Sequence, residues 1–459
     1  IFMNLATIIG FIMILVFIIG IMKRWLSPYA ALAICPMIAA VIYCLMTGQS
    51  VLNIFDWIQN GVFYTIKEDG SVQAGTFRSA LMVLFACTYF TLMMQTGLFD
   101  PLVIAIIKLV KGDPLKIMVA ATLVAAGVSL DGDGTSTVLI TTAAFMPLFR
   151  QFKIKGAYLA LLIALPTSVF NMSPWGGPLA RVLSALNLDV TELFPYLIPG
   201  MAVVLVYDVI VAYMLGRKER ARLGFDPKSA AAVSDSEIQE MIQIVKDENA
   251  ELKRPKMVWY NLIVTVIIMY MLITGMANSA LLFMAGLAFA LVVNYGFNFH
   301  EQKDRLASAL EEGMPACAMI VASGFLMGIL NGSGMGDGIA SFLGSLIPAG
   351  QEHLLPLFTA VLGIPGMIFL SSDGYYFGIL PVLANLASQY GISMTAMGVG
   401  AMIPLATYYA TPLIAWIFLL CDRCEVEFGD YQKSILKFGL PAFVIYVIVF
   451  SLTGALGLL

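Results

Sequence analysis

Stretches of about 20 consecutive apolar residues, enough for a helix to cross a bilayer, recur along the whole chain and leave room for little else. They lie near 4–22, 28–48, 79–98, 114–130, 135–149, 156–172 and 192–216, and again near 258–275, 278–297, 313–331, 353–371, 374–390, 396–420 and 436–457. With 60% of its 459 residues apolar and only 12% charged, the chain falls outside the composition of soluble domains. An all-α integral membrane protein follows, because helices satisfy their own backbone hydrogen bonds in lipid. The first run continues for a full span and ends in Lys23-Arg24, so no cleavable signal is expected. A net charge of -4 gives no reason to expect a nucleic-acid partner. Six cysteines, scattered through apolar runs, read as small core residues. Cys421 and Cys424 form a lone C-x-x-C with no second pair or nearby His, which fits helix-end packing better than a metal site.

The two sets of runs share landmarks at a nearly constant offset. Gly97 to Asp100 matches Gly334 to Asp337 at 237, Asp133-Gly134 matches Asp373-Gly374 at 240, and Ser173-Pro174 matches Thr411-Pro412 at 238. Three matches in one order point to internal duplication. Asp100 and Asp337 themselves are expected as helix N-caps. Residues 217–256 are the one long polar stretch, where Ser234-x-x-Glu237 is expected to open a short amphipathic helix. Placing 22 of the 25 basic residues on one side of the membrane, as the positive-inside rule asks, requires each half to cross an odd number of times. The halves, 1–216 and 257–459, are then inverted repeats of about five spans each, joined by a cytoplasmic linker at 217–256. Both termini, residues 187–191 and residues 276–278 would face outside.

Two kinds of interruption carry the chemistry. The stretch Ser129 to Thr137, with Asp131 and Asp133, separates two apolar segments and resembles the tip of a re-entrant hairpin over 114–150. Its partner, Leu370 to Tyr376 with Ser371, Ser372 and Asp373, lies in a second hairpin over 353–390. Solvated loops with Asx turns are the simpler alternative. Each carboxylate at a helix centre costs roughly 2.5–3.5 kcal/mol on insertion scales, so cations, protons or an arginine are needed beside them. The second kind is a broken helix. Asn171 to Pro178 brings two prolines and two glycines into the apolar segment 156–186, and an unbroken helix cannot run through it. Broken membrane helices free carbonyls for cations and aim half-helix N-termini at anions. The matched Thr411-Pro412, within 396–420, is either a second break or a proline kink.

Arg181 is the one basic side chain this topology leaves within the membrane, where it either grips a substrate carboxylate or snorkels outward. Asp208, inside the fifth span, is either a proton site or a partner for another helix. Candidate substrate contacts are Ser129, Thr135, Ser136, Asn171, Ser173, Gly176, Gly177, Arg181, Ser371, Ser372 and Thr411. Candidate metal or proton sites are Asp131, Asp133, Asp373 and Asp208. Anion-seeking helix ends beside three aspartates would repel an anion arriving alone. A carboxylate accompanied by a metal ion or protons resolves the conflict.

The chain resembles the citrate-metal-proton symporter family (CitMHS) of the ion transporter superfamily over nearly its whole length. The likeness is carried by Gly97 to Pro101, Lys111 to Lys116, Leu130 to Thr137, Pro174 to Pro178 with Arg181, and Asp373-x-Tyr375-Tyr376-Phe377-Gly378. The resemblance implies uptake of citrate complexed with a divalent cation such as Mg2+ or Ca2+, driven by proton entry across the bacterial plasma membrane. It also implies no permanently bound cofactor, and a homodimer whose transport domains move like elevators. One stretch departs from it: Tyr408 to Trp416 is bulkier and less polar than the Ser-Pro-Leu stretch implied. A Na+- or H+-coupled di- or tricarboxylate carrier needing no metal is the alternative within this architecture. A membrane-embedded metal-dependent transferase would want more carboxylates on one helix face, and a channel would want polar lining along whole helices.

Overall fold

In this computed structural model the described residues are 4–23, 25–66, 72–108, 113–131, 134–225, 235–247, 250–345 and 350–458. The first half contains α1 (Leu5–Met22), α2 (Pro28–Thr47), α3 (Asn53–Val62), α4 (Thr76–Gln95), α5 (Asp100–Ile107), α6 (Pro114–Val128), α7 (Gly134–Gln151), α8 (Gly156–Phe170), α9 (Gly177–Leu186) and α10 (Val190–Arg222). A small antiparallel pair, β1 (Tyr64–Ile66) and β2 (Val72–Ala74), lies between α3 and α4 with Tyr64 opposite Ala74. The linker holds α11 (Asp235–Asp247), which buries Met241, Ile242 and Val245. After it come α12 (Val258–Ile273), α13 (Ser279–Tyr295), α14 (Phe299–Gly332), α15 (Met335–Gly344), α16 (Leu355–Asp373), α17 (Leu380–Gln389), α18 (Met394–Met402), α19 (Leu405–Tyr408), α20 (Ala415–Arg423) and α21 (Phe428–Leu452).

Among the described residues, six helical stretches are long and apolar enough to cross a membrane, and six shorter apolar helices accompany them. Ile12, Leu15, Leu45, Ile263, Val444 and Ile448 point outward, as they must where the solvent is lipid. Close packing inside relies on small residues, because lipid removes the hydrophobic drive between helices and contact area must replace it. A Cβ on Gly61 would stand 2.1 Å from the Gly324 carbonyl, and one on Gly328 would stand 2.0 Å from that of Trp57. Glycine at these places lets α3 lie directly against α14.

Helix ends are fixed by caps and ion pairs. Asp113 accepts from the Leu115 N–H at 3.0 Å ahead of Pro114, and pairs with Arg220 at the far end of α10. At the other end of α10, Asp189 and Glu192 form a reciprocal capping box, and Asp189 pairs with Arg78 at 2.8 Å. Asp100 differs from its expected role. It is the first residue of α5 rather than its cap, and its carboxylate pairs with Lys253 at 2.7 Å. Asp337 likewise lies inside the first turn of α15, which Gly334 precedes in a left-handed conformation. Where the hydropathy suggests a span at 313–331, the structure has the second half of a 34-residue helix that starts at Phe299.

Candidate functional site

The helix α8 ends because the sequence after it cannot continue one. Its last residues tighten, with the Met172 N–H to Val169 carbonyl at 3.1 Å and the Ser173 N–H to Phe170 at 2.9 Å. Pro174 then removes a donor, and α9 restarts at Gly177 with Pro178 in its first turn. Gly176 is required by space, and Gly177 leaves room for a side chain. A Cβ on Gly176 would sit 2.4 Å from the Asn171 carbonyl oxygen, and one on Gly177 would sit 2.7 Å from Arg181 Nη1. The second interruption is comparable. Met402 ends α18, Pro404 begins one turn of helix as far as Tyr408, and Tyr409 to Ile414 are non-helical before α20.

These two interruptions touch each other and the helical turns at 129–131 and 374–379. Asn171 Nδ2 donates to the Tyr409 hydroxyl, joining one interruption to the other. Trp175 Nε1 donates to the Leu130 carbonyl at 2.6 Å, satisfying an acceptor left free where α6 gives way to a single 3-10 turn. The same indole stacks on Phe90 with centroids 3.5 Å apart. On the opposite side of that turn, Gly134 lies so close to Trp416 that a Cβ would stand 2.3 Å from the ring.

Arg181 turns inward. Its Nε donates to Asp373 Oδ1 at 2.5 Å, and the two side chains are 18% and 17% exposed. This pair joins α9 to the end of α16, 192 residues away in sequence. Beside it, the Tyr408 hydroxyl donates to Ser372 Oγ at 3.0 Å, and Thr411 Oγ1 donates to the Ile368 carbonyl at 2.9 Å. After Asp373 the backbone widens into a π turn over Gly374–Ile379. The Tyr375 hydroxyl there reaches the Thr359 carbonyl at 2.7 Å. Sixteen residues of straight helix would place those two about 24 Å apart, so the chain bends back on itself, with Gly363, Pro365 and Gly366 in the intervening stretch.

The structure therefore brings together Asn171, Gly176, Gly177, Arg181, Ser372, Asp373 and Thr411. Ser173 lies between them, its hydroxyl buried and without a hydrogen-bond partner. Thr135 and Ser136 follow Gly134 in the first turn of α7. Ser129 is committed elsewhere, donating to the Ala126 carbonyl of its own helix at 3.1 Å. Asp131 ends the 3-10 turn, and Ser371 lies in the last turn of α16. Asp133 lies outside the described residues. Asp208 stands apart on α10, wholly buried, with neither carboxylate oxygen hydrogen-bonded.

Sequence reasoning did not select Trp175, Tyr408, Tyr409 and Trp416, which form the walls between these groups. The signal was present in the aromatic density of Tyr408 to Trp416. In a chain this apolar, however, aromatic residues read first as packing.

An arginine, a carboxylate and open backbone gathered at interrupted helices, inside a multi-pass apolar bundle, suit a membrane transport protein. The family model for citrate transporters (CitMHS) matches residues 12–411, and the chain belongs to this family. It is 38% identical to a citrate transporter of Bacillus subtilis (strain 168), over 98% of this chain and 99% of that one. It is 34% identical to the Mg(2+)/citrate complex secondary transporter of the same organism, over 99% of this chain and all of the other. Among solved structures, the YdaH transporter of Alcanivorax borkumensis, described as having an unusual topology, is similar in fold. The TM-score is 0.56 at 14% identity, covering 91% of this chain and 98% of that one.

Proposed function

We propose that the protein imports citrate as a complex with a divalent cation, Mg2+ or Ca2+, together with protons, by an elevator-type alternation of access. The observation that carries this reading is the Arg181–Asp373 pair at the junction of the two interrupted segments. A planar guanidinium offers paired N–H donors matched to a carboxylate. A carboxylate beside it favours a cation arriving with the anion. The 34% identity to a relative named for the Mg(2+)/citrate complex supports the choice of cargo. In this reading the metal ion is cargo rather than a resident cofactor.

Asn171, Thr411 and the hydroxyls of Ser173 and Ser372 contact the cargo's remaining oxygens, with Thr135, Ser136, Ser129 and Ser371 nearby in sequence. Asp131, Asp133 and Asp373 balance the cation, and Asp208 takes a proton. The halves 1–216 and 257–459 are inverted repeats, with the linker 217–256 and most basic residues in the cytoplasm, and the working unit is a homodimer.

Uptake of labelled citrate into proteoliposomes, scanned over Mg2+, Ca2+, Zn2+, Fe3+ and Na+ with and without a pH gradient, tests the reading. Accumulation is expected only with a divalent cation and an inward proton gradient. Metal-free uptake driven by Na+ or by protons would replace it with a plain di- or tricarboxylate carrier.

A further inference from the structure

Arg181 Nε donates to Asp373 Oδ1, so a substrate carboxylate that seeks this guanidinium meets a carboxylate already beside it. Arg181 comes from α9 and Asp373 from the end of α16, so the bond crosses between the two interrupted segments. Among the described residues, few other charges lie on the two helices that carry the pair. Asp373 is the single ionisable residue of α16 and Arg181 the single one of α9. Of the elements packed on α16, α1, α17 and α18 contain none, α19 contributes Tyr408, whose hydroxyl is engaged with Ser372, the π turn contributes Tyr375 and Tyr376, and Glu352 and His353 lie at the opposite end of α16. Among the described residues, Asp373 is the acid the structure pairs with Arg181.

We infer that Asp373 is an internal stand-in for the substrate carboxylate, and that exchanging it for the substrate makes anion and divalent-cation binding interdependent. The inference rests on the proposed role of Arg181 as the group that receives the substrate. In the pair, one positive and one negative group face each other with most of their surface withdrawn from water. An incoming carboxylate has the same shape and charge as Asp373 and competes for the same guanidinium. Once it wins, the charges stand as one arginine and two carboxylates at close quarters. Burial without compensation disfavours that state strongly. A divalent cation chelated by the incoming anion restores the balance, because it faces the released Asp373 as the anion faces Arg181. An anion without its cation leaves two carboxylates against one guanidinium, so it binds weakly.

No new donor is required for the exchange. Asp373 engages Arg181 through Nε, while Nη1 lies against the bare Cα of Gly177, where a side chain would obstruct it. The guanidinium therefore keeps donors for a second carboxylate before it releases the first.

The test is equilibrium binding of labelled citrate to the purified full chain in lipid nanodiscs, with excess Mg2+ and with a chelator in its place. Wild type is expected to bind citrate at least tenfold more tightly with Mg2+. In Asp373→Asn the competitor is gone, so metal-free citrate should bind at least tenfold more tightly than to wild type, and the Mg2+ effect should fall below threefold. Asp373→Ser should behave in the same way and serves if the Asn variant does not purify as a folded protein. Asp373→Glu retains a competing carboxylate and should keep the Mg2+ effect. If the neutral variants bind metal-free citrate no better than wild type, or keep the full Mg2+ effect, the exchange is wrong. Arg181→Lys separates this failure from that of the functional reading. Loss of citrate binding in that variant keeps Arg181 as the receiving group whatever Asp373 does, whereas unchanged binding removes the basis for both.

Discussion

The two interrupted segments meet at the same place but are built from different materials. The first, Asn171 to Gly177, joins one proline and two glycines to a single indole, Trp175, and it leads directly into the half-helix that carries Arg181. The second, Tyr409 to Ile414, is bracketed by Tyr408 and Trp416 and presents hydroxyls and ring faces without a charge of its own. Had both breaks carried arginines, the cluster would hold two buried cations for one described acid, Asp373. Had neither led to an arginine, no cation would face an anion here. One segment thus supplies charge and exposed backbone, while the other supplies shape and a scaffold of neutral hydrogen bonds. Two interruptions that meet at one place need not do the same work.

The sharpest way to break this comparison is to weaken the charged side. Arg181→Lys keeps the charge but loses the planar fork. A hydrogen bond to a charged group is worth about 1.5–3 kcal/mol, so citrate affinity should fall on the order of 10- to 100-fold. The variant should still fold, because an ammonium can also face Asp373. Isothermal titration on purified protein, with thermal unfolding as a control, checks both parts. Unchanged affinity would move the anion site away from the first interruption.

A smaller effect is expected where the two materials press on one another. Gly134→Ala would set a methyl group 2.3 Å from Trp416. Overpacking of this kind costs about 1–3 kcal/mol, enough to reduce uptake roughly tenfold if the indole must move to relieve it. Trp416→Phe removes the outer ring and should restore much of the loss in the double variant, although it is mildly harmful alone. Additive losses in a double-mutant cycle would show that the two residues do not share one packing site.

How far the sequence discloses this arrangement depends on the kind of residue. Arg181 and Asp373 stand out because a charge within an apolar run is expensive and therefore informative. Their union does not, because 192 residues separate them and a single sequence carries no pairing information. The glycines at 176 and 177 are conspicuous beside two prolines, yet the reason for Gly177, room for the guanidinium four residues on, needs coordinates. Ser129 is as polar as Ser173 in sequence, but one hydroxyl closes its own helix end while the other is left unpartnered near the site. Short elements such as α3, α5 and α15 are only 10, 8 and 10 residues long, below the length at which hydropathy distinguishes a helix from a loop between spans. The membrane class and the family are legible because they rest on long runs and long motifs rather than on any one contact.

The neutral side should give more modest losses. Thr411→Val deletes the hydroxyl that donates to the Ile368 carbonyl at 2.9 Å and accepts from the Leu413 N–H, while leaving the volume almost unchanged. One neutral hydrogen bond contributes about 0.5–1.5 kcal/mol, so citrate affinity is expected to drop by roughly 2- to 12-fold. Tyr409→Phe, which frees Asn171, should fall in the same range. A loss as large as that of Arg181→Lys from either variant would show that the second interruption binds the anion directly.

The smallest effect on affinity belongs to a residue outside both interruptions. Asp208 is wholly buried in α10, and neither oxygen finds a hydrogen-bond donor, an arrangement that ordinary packing does not favour. It has no hydrogen bond or ion pair to Arg181, Asp373 or the walls around them. Asp208→Asn should therefore leave citrate affinity within about twofold of wild type, inside the range usual for a distant, independent site. If the residue carries the transported proton, the effect appears in the energetics of transport instead. Accumulation driven by a pH gradient should collapse, while exchange of external labelled citrate for internal citrate, which needs no net proton movement, continues. The two assays on one proteoliposome preparation separate the roles. Loss of exchange and accumulation together would make Asp208 part of the structural frame, and retention of both would leave the proton to another group.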